Sequence, residues 1–154
     1  MPQEPARLKH LYRSAEPGTS SNGSTLDLKV IFTDARKTAA ALATARTMAR
    51  NLGARITLLA AQVVPYPLPL TEPDVPVEFT EHLLESIAVD IASDEDTTIE
   101  IYLCRDRCQA IREALPADSV VIVGAQKRRW WPSWERNLAG TLRQDGLKVL
   151  VVAV

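Results

Sequence analysis

Cysteine is nearly absent: Cys104 and Cys108 are the only two in 154 residues, which excludes a scaffold built on disulfides. Glycine is sparse as well, with six residues and no three-residue period, so the chain is not collagen-like. Long apolar runs are missing. Runs such as 120–123 and 149–154 fall far short of the roughly 18 to 20 residues that cross a bilayer. Arg7, Lys9 and Arg13 precede no apolar stretch in the first 25 residues, so no secretory signal peptide is expected and the expected location is the cytoplasm. What remains is 46% hydrophobic and 24% charged, the make-up of a globular protein and not of a fully disordered one. The length suits one domain with a two- or three-layer core.

Net charge is also small, at -1, but the sum conceals two opposed blocks. Residues 71–104 hold ten acids (Glu72, Asp74, Glu78, Glu81, Glu85, Asp90, Asp94, Glu95, Asp96 and Glu100) and no Lys or Arg. Residues 125–154 hold six bases (Lys127, Arg128, Arg129, Arg136, Arg143 and Lys148) against Glu135 and Asp145. Such a split either steers a charged partner or reflects nothing more than solvated faces.

Along the chain, residues 1–25 show no periodic apolar pattern, and 16–24 are turn formers and small polar residues. They predict a disordered N-terminal tail ahead of one domain over 26–154. From residue 26, strand-like and helix-like segments alternate. Leu28, Val30 and Ile31 mark a strand over 26–33, and Ala41, Ala45, Met48 and Leu52 mark a helix over 36–52 capped by Gly53. A second strand over 55–64 ends at Pro65, Pro67 and Pro69, which cannot donate to a ladder. Phe79, Leu83, Ile87 and Ile91 recur every four residues and predict an acidic amphipathic helix over 76–93. Ile99, Ile101 and Leu103 alternate along a third strand over 97–104, and Ile111 and Leu115 face inward from a helix over 107–115 that Pro116 stops. Residues 120–123 are apolar on both sides, as a central parallel strand requires. A fourth helix over 133–144 leads through Asp145-Gly146 into a last strand over 147–154. This order predicts a doubly wound α/β fold: a five-stranded parallel sheet of order 3-2-1-4-5 with helices on both faces. Its ligand positions lie at the carboxyl ends of the strands, where strand order reverses.

Four stretches, Lys29-Val-Ile-Phe-Thr-Asp34, Leu52-Gly-Ala-Arg-Ile-Thr-Leu-Leu59, Ala117-Asp-Ser-Val-Val-Ile-Val-Gly124 and Val149-Leu-Val-Val152, resemble in order and spacing the universal stress protein family over residues 26–154. The resemblance implies an adenine nucleotide alpha hydrolase-like arrangement, a stress-response role and a homodimer. Family members that bind ATP carry G-x2-G-x9-G-[ST] after the fourth strand, because glycines let backbone N–H groups approach phosphates at a helix N-terminus. Here Gly124 is followed in register by Lys127, Asn137 and Leu138. Gly140-Thr141 comes three residues late, and Trp130, Trp131 and Pro132 fill the loop where small residues are needed. The family's ATP site is therefore not expected.

Several side chains carry two readings. Asp34 either caps the first helix or meets a ligand at the switch region. Gly124, Lys127, Arg128 and Arg129 are candidate ligand-binding positions, the cations standing in for the glycine loop in an alternative nucleotide-binding regulator with ATP or another adenine nucleotide as ligand. Trp130, Trp131 and Trp134 either cover the apolar rim of the sheet, with Ser133 capping the last helix, or present a partner surface. A pI of about 6.1 makes nucleic acid a poor partner. Cys104 and Cys108 read as buried or half-buried free thiols; with His10 and His82 they lack zinc spacing, so no metal is expected. No G-x-S-x-G elbow is present and neither His is placed beside a nucleophile, so no catalytic residue is expected. The expectation is a non-enzymatic regulatory or binding domain with no cofactor. It acts as a homodimer through Val149, Val151 and Val152 of the last strand and contacts a protein partner.

Overall fold

The computed structural model describes residues 6–10, 26–91, 97–127 and 133–154. The elements are β1 (Ala6–His10), β2 (Asp27–Ile31), α1 (Ala35–Leu52), β3 (Arg55–Val63), α2 (Val77–Ile91), β4 (Thr97–Cys104), α3 (Arg107–Ala114), β5 (Val120–Ala125), α4 (Trp134–Gln144) and β6 (Lys148–Ala153). Five strands run parallel in the order β4-β3-β2-β5-β6. Counted from β2, that is the predicted 3-2-1-4-5, and the fold is a doubly wound α/β sandwich.

A sixth strand departs from the expectation for the N-terminal tail. β1 pairs antiparallel with β4, Ala6 opposite Leu103 and His10 opposite Ile99. The physical reason is the edge that β4 would otherwise present, a row of amides and carbonyls open to pairing. Residues 6–10 do alternate, Ala6, Leu8 and His10 against Arg7 and Lys9, but five residues of period two are too short to stand out. The remainder of the predicted tail, 1–5 and 11–25, lies outside the described residues.

Strand alternation sends side chains to two cores. Leu28, Val30, Ile56, Leu58, Ile99, Ile101 and Ile122 pack under α1 and α2 with Ala41, Leu42, Ala45 and Leu84. Ile31, Leu59, Tyr102, Val121 and Val123 pack under α3 and α4 with Ile111, Leu138 and Leu142. Each large aliphatic side chain buried this way contributes about 1.5–3 kcal/mol of transfer free energy. The small Ala41, Ala45 and Ala49 let α1 lie close to the sheet at its centre.

In two helices the apolar row meets the core, through Ala41, Ala45 and Met48 in α1 and Leu83 and Ile87 in α2, but leaves it at one end. In α1 the buried face is Thr38, Ala41, Leu42, Ala45, Arg46 and Ala49, and Leu52 is 57% exposed. In α2 Leu84, Ile87 and Ala88 are buried and Phe79 is 65% exposed. A four-residue step turns the helix about 400° and so drifts about 40° per step; a row begun at Ile87 has swung off the core by Phe79. Among the described residues, no helix is long and apolar enough to cross a membrane.

Candidate functional site

The switch point lies between the carboxyl ends of β2 and β5. β2 runs out into Asp34, whose Oδ1 accepts the Lys37 backbone N–H at 2.8 Å and caps α1. A helix that starts on an Asp cap carries its third residue, Lys37, in its first turn. Lys37 Nζ donates to Glu135 Oε1 at 2.8 Å and sits 3.1 Å from Asp34 Oδ2. Glu135 belongs to the first turn of α4, begun by Ser133, whose Oγ accepts from the Arg136 N–H at 3.3 Å. The Lys37–Glu135 pair thus ties together the starts of two helices that cover opposite faces of the sheet. It spans the crevice that this fold leaves at the strand ends.

Glu135 is buried, at 3% exposure. Burial pushes its carboxyl up, but the Lys37 hydrogen bond and its own backbone N–H outweigh that and hold it below the ordinary 4.5. Asp34 follows the same pattern: burial opposes ionisation, and the backbone and side chain of Lys37 bring it below 3.8. Lys37 is raised, chiefly by the Glu135 hydrogen bond, against the opposing effect of burial. All three are therefore ionised at neutral pH, and none is poised as a general acid or base there.

Gly124, a candidate ligand position, has a packing role. A Cβ at Gly124 would overlap the Lys37 carbonyl oxygen and lie 2.7 Å from its carbon. The missing side chain is the space into which the first turn of α1 fits. The backbone approach that a glycine permits here is made by α1.

Around this lock the rim is cationic and aromatic. Arg107 stacks 3.5 Å above the ring of Trp134, and Arg105 lies 4.1 Å over Tyr66 while donating to the Val64 carbonyl at 2.8 Å. Trp134 is half-buried and packs against the core beneath α3 and α4. Lys127 is exposed and its backbone N–H donates to the Val154 carbonyl at 3.1 Å, fastening the end of β5 to the chain after β6. Arg136 Nη2 reaches the Gln126 carbonyl at 2.6 Å. Arg128, Arg129, Trp130 and Trp131 lie outside the described residues.

In β6, Val149, Val151 and Val152 are half-buried, and Leu150 and Ala153 are exposed. Val149 packs against the core under α4 and Val152 against the one under α1. The Val154 N–H and C=O both bond β5 or the residues that follow it, so by alternation the amides of Val149, Val151 and Ala153 face away from β5. Arg143 Nη2 donates to the Val149 carbonyl at 3.0 Å.

Cys104 is buried, as expected, and desolvation pushes its thiol to about 11, leaving it protonated and a poor nucleophile. Cys108 is exposed, against expectation: it sits in the first turn of α3, whose inward positions are Ala110 and Ile111. Among the described residues, no group of three or more His, Cys, Asp or Glu side chains is arranged to hold a metal ion.

No known protein-family model matches the chain. No curated protein sequence matches it either.

Reasoning on the sequence missed Lys37, Glu135 and Arg107. The Lys37–Glu135 contact joins residues 98 apart, and no local spacing encodes it. The nearest signals were the helix starts, Asp34 with a base three residues on and Ser133 with an acid two residues on.

Proposed function

We propose that this chain is a non-enzymatic binding domain of the universal stress type, working as a homodimer through β6 and by contact with a protein partner, without holding ATP in that family's usual mode. The observation that carries the reading is β6 itself: a parallel edge strand with half-exposed valines and an outward row of amides at Val149, Val151 and Ala153. Such an edge favours pairing, and a second copy supplies an identical strand. The closed switch point supports the second half of the reading. A polyphosphate there meets Glu135 and Asp34 already satisfied by Lys37 and a Gly124 already filled by the backbone of α1. Free Cys104 and Cys108 suit a reducing compartment such as the cytoplasm.

The test is light scattering on the full chain and on Val151→Asp. A dimer that the substitution splits into monomers supports the reading, and a monomer at high protein concentration overturns it. Titration with ATP and ADP on the same samples examines the alternative regulator that uses Lys127, Arg128 and Arg129. A thermal shift at millimolar nucleotide would replace the ATP-free reading with that one.

A further inference from the structure

The exposure of α2 leaves a patterned surface that neither the core nor β6 uses. Phe79, His82, Ser86 and Val89 all face outward, at spacings of three, four and three residues. That is the a/d rhythm of a seam one helix offers another. Phe79 is 65% and Val89 54% exposed, and they stand at the two ends of the row, three turns apart. A large aromatic and a valine left in water at seam positions are a cost unless something covers them.

The flanks say what kind of partner fits. Glu78 and Glu85 precede Phe79 and Ser86 by one residue each, the position beside a seam where interhelical charge pairs form. α2 contains no Lys or Arg, and none occurs anywhere in residues 71–104. Two copies meeting through this face would bring these carboxylates together, so a self-pairing of α2 is disfavoured. An anionic surface, nucleic acid or acidic membrane, is repelled for the same reason. The complement is a helix that places apolar side chains over Phe79 and Val89 and carries Lys or Arg at its edges.

We propose that the outward face of α2 is a docking site for a basic amphipathic helix of a partner protein. The inference names the chemistry of the partner contact in the reading above. It does not depend on β6, and the two fail separately. The site is a single helix face of four turns, smaller than a standard interface, so the complex is weak and transient.

The experiment uses the full chain and a synthetic peptide of about three heptads, with Leu at a and d and Lys on both flanks. A peptide of the same composition with the Leu and Lys order scrambled is the control. Binding is followed by calorimetry and by amide chemical shifts. The expected result is micromolar binding of the patterned peptide, with shifts centred on α2 and an affinity that falls as salt rises. The scrambled peptide and the double variant Phe79→Ser, Val89→Ser should each lose at least about tenfold, because a few large anchoring side chains carry most of the energy of such contacts. The double variant Glu78→Lys, Glu85→Lys should lose as much, and Val151→Asp should bind like the parent chain. Equal binding of the two peptides, or shifts lying elsewhere, would overturn the proposal. So would a parent dimer that Phe79→Ser, Val89→Ser converts to monomer, since α2 would then be covered by a second copy.

Discussion

The start of α1 and the outer face of α2 lie on the same side of the sheet and are built on opposite terms. α1 starts against the end of β5, across the sheet from α4. Asp34 caps it, the Lys37 side chain pairs with Glu135, and the Lys37 carbonyl lies against Gly124. α2 rests on β4 and α1 by Leu84, Ile87 and Ala88 and leaves Phe79 and Val89 uncovered. Charge follows the same division. The acids near α1 are paired and held ionised by Lys37, whereas α2 carries no Lys or Arg and its Glu85 lies 3.5 Å from His82. At the strand ends, where this fold class places ligands, the described residues of this chain form a joint between two helices.

That contrast can be broken from the α1 side first. Gly124→Ala forces a methyl group against the Lys37 backbone, which cannot swing aside like a long side chain, and should cost about 3 kcal/mol or more; urea denaturation measures it. An unchanged midpoint would show that α1 does not press on β5. Glu135→Ala should cost about 2 kcal/mol, below the usual range for a broken buried pair because Lys37 keeps Asp34 and some contact with water. The same carboxylates set an acid dependence. Asp34 and Glu135 have folded pKa values below their ordinary 3.8 and 4.5, so their contribution is present above those values and is lost as pH falls through the lower folded ones. The parent chain should therefore lose stability below about pH 4 more steeply than Glu135→Ala; parallel slopes would assign the acid sensitivity to other groups. From the α2 side the effect should nearly vanish. Phe79→Ser should change the unfolding free energy by about 0.5 kcal/mol or less, the range of exposed substitutions away from caps and cores. A larger loss would mean that Phe79 packs on the chain itself.

The sheet was legible because its signals are local. Strand runs such as 120–123, the cap residues Asp34, Ser133 and Gly53, and Pro116 after α3 each act within a few residues of themselves. The rotation of α2 was less legible, since Phe79 and Ile87 share a spacing but not a face, and only packing against β4 fixes which of them turns inward. β1 was hidden by its brevity. At the switch point, Asp34 was visible as a candidate cap, whereas Gly124 was visible as a residue but not in its packing role, because it reaches Lys37 only through the fold.

Composition and periodicity by themselves determined an α/β fold, parallel strands joined by crossover helices, and the separation of an acidic middle from a basic end, because propensity, patterning and capping are short-range. The tertiary structure alone decided that Lys37 pairs with Glu135, that Gly124 packs against α1, and that Phe79 faces water. Those outcomes depend on contacts between residues tens of positions apart, which form only when both faces of the sheet are covered.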